Sequence, residues 1–154
     1  MKDISDPTYL GPGKWHSMHI EATNATDDES QKVFCKNVRI TCETFPCNKC
    51  KGHCENYIKN NPPEKFIGVK IEVDGVMQNL GLSIWSWTFH NCVNYRLKKK
   101  IMDWDTYFGM YIKTSQNCST SCSLVKTENE EIDKNLIPKA PKKYSSSDLK
   151  KQED

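Results

Sequence analysis

The sequence predicts an all-α protein: a bundle of four helices plus a short fifth, interrupted by a hairpin-like insert and followed by a disordered C-terminal tail. Three observations carry that expectation. Apolar residues recur at three- and four-residue spacing in several separate segments between Gly13 and Ile112. One stretch, 67–81, alternates with period two instead. Residues 126–154 (KTENEEIDKNLIPKAPKKYSSSDLKKQED) hold almost no large apolar groups, too few to offset the entropy of ordering them.

Residues 1–12 read as a loop, with Pro7, Gly11 and Pro12 as breakers, so 1–10 is expected to be an N-terminal extension and 11–115 the domain. A first helix starts near Gly13 and carries Trp15, Met18 and His19 on neighbouring turns. The run NATDDE (24–29) is a connection rich in N-cap residues. Val33, Phe34, Val38, Ile40, Cys42 and Phe45 mark a second helix that stops at Pro46. A third runs from about Cys47 to Lys59 and ends at Asn60-Asn61-Pro62-Pro63. In the insert, Val69, Ile71 and Val73 alternate with Lys70 and Glu72, and Asp74-Gly75 is a two-residue hairpin turn. Leu82 to Leu97 forms an aromatic-rich fourth helix, and Asp103 to Ile112 a short fifth with Trp104, Tyr107 and Tyr111. Residues 116–154 are expected to be a flexible tail with a cysteine pair at its start.

The 154 residues leave room for one domain, and 22 basic against 20 acidic residues give a formal charge of +2. That even balance speaks against a nucleic-acid binder, which needs a clustered basic face. No apolar run is long enough for a membrane span, and the N-terminus lacks a signal-peptide stretch, so a cytoplasmic address is expected. Eight cysteines (35, 42, 47, 50, 54, 92, 118 and 122) are many for that address, where clusters are more often catalytic or metal-binding than structural.

The sharpest local signal is Cys47-Asn48-Lys49-Cys50, a CxxC where a helix begins. A helix N-terminus offers unpaired N–H groups and a positive dipole end, which favour the thiolate, and Lys49 and Lys51 add charge. The same spacing serves zinc: Cys47, Cys50, His53 and Cys54 form C-x2-C-x2-H-C, the alternative being a zinc-stabilised, non-catalytic interaction module. Four ligands on one continuous helix cannot surround a tetrahedral ion, so spacing favours redox chemistry. A thioredoxin-like exchanger is disfavoured because no strand of a βαβ pattern precedes the CxxC. Trp15 and His19 share a helix face, as do His90, Asn91 and Asn94 on an otherwise apolar helix. Buried polar groups need partners, which a packed network or a cofactor supplies equally well.

Taken together, GPGKWHSMH (11–19), PCNKC (46–50) and HNCVNYRL (90–97) resemble the ALR/Erv family of FAD-linked sulfhydryl oxidases: its W-x-x-x-H helix, its P-C-x-x-C redox centre and its H-N-x-V-N flavin segment, in that order. The resemblance spans about Gly11 to Tyr111 and is closest in style to the compact oxidases of large DNA viruses. It implies a four-helix bundle with a short fifth helix that binds FAD, oxidises dithiol substrates with O2 and releases H2O2. It also implies a homodimer, served by a dithiol protein or a thioredoxin-like relay, in the cytoplasm or at a virion assembly site. By that likeness Cys50 is the sulfur next to the flavin and Cys47 the exchanging thiol. Gly11, Lys14, Trp15, His19, Trp85, His90, Asn91, Val93, Asn94, Arg96, Lys99 and Tyr111 are the expected cofactor-binding positions.

The family's structural disulfide is expected to be absent, since its positions read Lys59 and Trp104, and the insert at 67–81 is not typical. Cys118 and Cys122 are candidates for a shuttle pair, Cys35 and Cys42 are expected to be packed thiols, and Cys92 has no assigned role.

Overall fold

In the computed structural model, which describes residues 5–113, the chain folds into α1 (Pro7–Asn24), α2 (Asp28–Thr44), α3 (Asn48–Asn60), β1 (Lys70–Val73), β2 (Val76–Asn79), α4 (Gly81–Arg96) and α5 (Trp104–Tyr107). A 3₁₀ turn occupies Pro63–Phe66, and α5 runs on into a π-helical turn, Phe108–Ile112. All the described residues belong to one compact unit. The expected four helices and short fifth are present. No described helix is long and apolar enough to cross a membrane.

The N-terminal loop is corrected. Helix α1 begins at Pro7, a residue whose fixed φ suits the first helical position, and the Asp6 carboxylate caps it by accepting from the Thr8 amide at 2.8 Å. Pro12 lies inside the helix and forgoes one backbone bond. Local capping thus overrides the Gly-Pro-Gly signal. Helix α2 opens with a capping box between Asp27 and Ser30, as the connection's composition anticipated.

Helix α4 lies between α1 and α3, antiparallel to both. Against α1, Thr23 meets Ser83, His19 meets Ser86 and Trp15 meets His90, so the numbering falls along one helix as it rises along the other. Against α3, the Trp85 indole donates to the Asn61 carbonyl, Tyr57 stacks on Phe89 at 4.4 Å, and the charge of Arg96 reaches Cys50. Met18, Ala22, Phe34, Val38, Leu82, Trp85 and Phe89 fill the space between these helices. Burying such side chains contributes about 1.5–3 kcal/mol each.

Helices α2 and α3 are joined covalently: Cys42 and Cys54 form a disulfide with Cα atoms 5.9 Å apart. Cys42 is therefore not a packed free thiol; Cys35 is, with burial pushing its pKa up to about 11. Arg39 adds a two-pronged pair to Glu64 beyond the end of α3.

The insert is a hairpin with Asp74 and Gly75 both at positive φ (50° and 77°), the backbone that an Asp-Gly turn favours. It is less of an excursion than the alternation suggested. Val73 and Leu80, with Ile71, pack against Tyr107, Tyr111 and Ile112 in a second cluster, so the insert roofs the last helical turns. Helix α4 starts hard against the 3₁₀ turn. A Cβ on Gly81 would lie 2.2 Å from the Phe66 carbonyl oxygen, which only glycine avoids.

Candidate active site

Cys47 is the N-cap of α3, and Cys50 sits in the first turn, where its amide donates to the Cys47 sulfur at 3.2 Å. The two thiols are unequal. The Cys50 thiol and amide bond to Cys47 and hold its pKa below the ordinary thiol value, helped by the Lys49 amide and the Arg96 charge. Burial pushes the Cys50 pKa up, and the neighbouring Cys47 charge pushes it further. Cys47 is thus the readier thiolate, with Cys50 the more sheltered proton-bearing sulfur. Both are free thiols in this structure. Cys54 is bonded to Cys42, so the four-ligand set that the spacing offered to zinc loses a member.

Beyond the pair, α1 and α4 bring Trp15, His19 and His90 together. Trp15 and His90 lie face to face at 4.2 Å with planes 5° apart, and His19 Nε2 is 2.8 Å from His90 Nδ1. Burial lowers the pKa of His19 to about 3 and that of His90 to about 4, with neighbouring positive groups pushing the same way. Both rings are therefore neutral at pH 7. Tyr111 is buried beside them and meets His16 Nδ1 through its hydroxyl at 2.7 Å.

Helix α4 ends in a turn that closes two of its last four carbonyls. The Lys99 amide bonds to the Asn94 carbonyl and the Lys98 amide to that of Tyr95, with Lys98 at φ 56° where glycine is usual. Arg96 at the end of α4 and Lys98–Lys100 in the turn are exposed cations, and the Lys99 charge acts on His90. None of the four belongs to either ion pair found among the described residues.

These residues fit a flavin nucleotide in kind. Asn94 is 8% exposed, and its side-chain amide has no partner among the described residues. His90 Nε2 is likewise unbonded there, a flat aromatic pair stands beside it, and unpaired cations suit phosphates. The Trp15–His90 stack leaves no room between its rings, so a ligand ring would use an outer face.

Not every expected position shares that surface. Trp85 is fully buried among Phe34, Tyr57 and Phe89, which makes it a core residue. Asn91 is engaged on both sides by Met102, donating to its carbonyl at 2.8 Å and accepting from its amide at 3.0 Å, and so anchors the loop after α4. Val93 is half-buried against the core, Gly11 is half-buried, and Lys14 is exposed on α1. Cys118 and Cys122 lie outside the described residues. Sequence reasoning missed Ser86 and Tyr107, which contact His19, and Ser83, which meets Thr23; no spacing signal ties them to α1, because those contacts cross between helices.

A helical bundle with an asymmetric CxxC at a helix start, beside a cluster of neutral histidines and aromatics, defines a thiol-redox protein of the helical-bundle type. The Erv1 / Alr family model matches residues 12–117, and the chain belongs to that family. The FAD-linked sulfhydryl oxidase of African swine fever virus is 28% identical over 106 residues, covering 67% of this chain and 80% of that protein. The mitochondrial FAD-linked sulfhydryl oxidase ERV1 of Saccharomyces cerevisiae is 30% identical over 104 residues, 66% of this chain and 49% of its own length. Among solved structures, the yeast Erv1 core superposes with a TM-score of 0.57 at 25% identity, covering 71% of this chain and 86% of that one. The FAD binding domain of the same yeast protein gives 0.56 at 25% identity, covering 70% and 95%.

Proposed function

We propose that the chain is an FAD-dependent sulfhydryl oxidase that forms disulfides in dithiol substrates, with Cys47 and Cys50 as its redox pair. The observation that carries this reading is the inequality of those two thiols at the first turn of α3, beside the Arg96 charge.

With the pair oxidised, a substrate thiolate attacks the Cys47 sulfur; a substrate–Cys47 bond forms and the Cys47–Cys50 bond breaks, Cys50 taking the electron pair. The second substrate thiolate attacks the substrate sulfur of that mixed disulfide, and Cys47 leaves as a thiolate. Its lowered pKa makes it a good leaving group. The Arg96 charge offsets the cost of developing charge on Cys50, which burial otherwise opposes.

When bound, FAD supplies a two-electron acceptor and a route to oxygen. Trp15, His90, Asn94, Arg96 and Lys99 would hold it, rings by stacking and phosphates by charge. The two electrons leave through Cys50, restoring the Cys47–Cys50 disulfide. Overall, two thiols and one O2 give one disulfide and one hydrogen peroxide.

A protein dithiol or thioredoxin-like relay as substrate, a homodimer, and a cytoplasmic or virion-assembly setting belong to the same proposal, supported by the likeness to viral oxidases. The test is a visible spectrum of the purified protein followed by oxygen uptake with dithiothreitol. A flavin spectrum, with uptake abolished by Cys50→Ser, is expected. A colourless protein that cannot be reconstituted with FAD overturns the reading.

A further inference from the structure

We propose that Ser86 is a positioning residue: it holds His19 and His90 in a single tautomer, leaving the outward Nε2 of His90 as a bare acceptor for a hydroxyl or amino donor of the bound flavin nucleotide. The inference rests on reading this site as the flavin site, and adds to it the polarity of the hydrogen bond the site offers.

Three short contacts converge on the Ser86 hydroxyl oxygen: the Ser83 carbonyl at 3.1 Å, the Tyr107 hydroxyl at 3.0 Å and His19 Nδ1 at 3.1 Å. That oxygen has one hydrogen and two lone pairs. A carbonyl only accepts, so the Ser86 hydrogen goes to Ser83. The other two contacts are then bonds donated into Ser86, one from the Tyr107 O–H and one from the His19 Nδ1–H. The reverse polarity would leave the Ser86–carbonyl contact with no hydrogen in it.

A neutral imidazole carries one N–H, so His19 Nε2 is a lone pair. It faces His90 Nδ1 across 2.8 Å, and two lone pairs that close repel, so His90 Nδ1 holds the hydrogen. His90 Nε2 is left bare, and no described residue bonds to it. Burial keeps both rings unprotonated near neutral pH, which leaves the tautomer as their remaining freedom. The surrounding hydroxyls agree. Thr23 donates to the His19 carbonyl at 2.9 Å, so Ser83 must be the donor in its 3.2 Å contact with Thr23. The assignment is consistent across the cluster, and it runs inward from His90. A ring locked in this sense accepts from a hydroxyl or amino group and disfavours an acceptor in the same place.

The test uses the FAD-loaded protein labelled with nitrogen-15 in its four histidines, read by long-range proton–nitrogen NMR. His16→Gln and His53→Gln remove the other two signals for assignment. His19 and His90 are expected to show the Nδ1–H pattern at pH 7, with His90 Nε2 shifting on FAD binding. Ser86→Ala is expected to turn His19 into a tautomer mixture and raise the FAD Kd about two- to tenfold, the loss of one hydrogen bond's influence; Ser86→Thr restores both. An Nε2–H pattern on His19 or His90 in the unsubstituted protein overturns the proposal, whether or not any variant folds. So does an Nε2 signal from His90 that is identical with and without FAD. Neither result touches the oxidase reading, which stands or falls on the flavin spectrum and oxygen uptake.

Discussion

The amide of Cys50 donates to the sulfur of Cys47 across 3.2 Å at the first turn of α3. A helix N-terminus has N–H groups to spare, and here one of them is directed at a sulfur three residues earlier in the chain. The bond favours negative charge on Cys47 while burial opposes it on Cys50. Reactivity should therefore divide between the two.

Alkylation of the reduced protein by iodoacetamide should modify Cys47 first. Its rate should rise with pH through a midpoint below the ordinary thiol value, because the reactive form is the thiolate. Peptide mapping of a time course checks this. Equal labelling of Cys47 and Cys50 at every pH would contradict the asymmetry.

Stability should fall as the pH drops below the ordinary histidine value. His19 and His90 titrate at about 3 and about 4 in the fold and at 6.5 when unfolded. Between those values the unfolded chain binds more protons, so these groups favour the fold above pH 6.5 and lose that contribution as the pH falls toward 4. Thermal unfolding from pH 7.5 to 4.5 measures the slope, and His19→Gln should flatten it.

The Cys42–Cys54 bond closes a loop with a sequence separation of 12. Loop-closure entropy puts its contribution at about 3 kcal/mol. Replacing both cysteines by serine should lower Tm, with dithiothreitol reproducing the shift in the unsubstituted protein. Redox chemistry at Cys47 and Cys50 should survive the double substitution.

Trp85→Phe should lower stability by about 1–3 kcal/mol, since it removes the bond to the Asn61 carbonyl and trims a fully buried ring. FAD affinity should stay within about twofold, which separates a core residue from a cofactor wall. Equilibrium denaturation and flavin titration on one preparation give both numbers.

Asn91→Ala should act on the loop after α4. Losing both bonds to Met102 leaves that backbone unpaired except for the Trp87 indole, at a cost of about 1–3 kcal/mol. Amide hydrogen exchange at Met102 should quicken, and FAD affinity should weaken and depend more steeply on the order of the lysine-bearing loop than Trp85→Phe allows.

Periodicity and punctuation made most of the fold legible. The stripe through Phe34, Val38 and Cys42, the stop at Pro46 and the Asp74-Gly75 turn are local properties, and the elements formed where those signals lie, although Val33 and Ile40 of the expected stripe face outward. The start of α1 was the exception, because a cap at Asp6 and a proline at the first helical position outweighed breakers that come later. The candidate site was legible wherever its residues share one helix turn, as Cys47 with Cys50 and Trp15 with His19 do.

By itself the sequence determined where the candidate redox pair sits, the helix that carries it and the order of the elements, because each rests on neighbours within a few residues along the chain. Only the tertiary structure decided which polar residues face each other across α1, α4 and α5, that Cys42 bonds to Cys54, and that Trp85 and Asn91 serve the scaffold. Those outcomes depend on the antiparallel packing of α4 between two other helices. That packing brings together residues some 70 positions apart, such as His19 and His90, through contacts that no local spacing encodes.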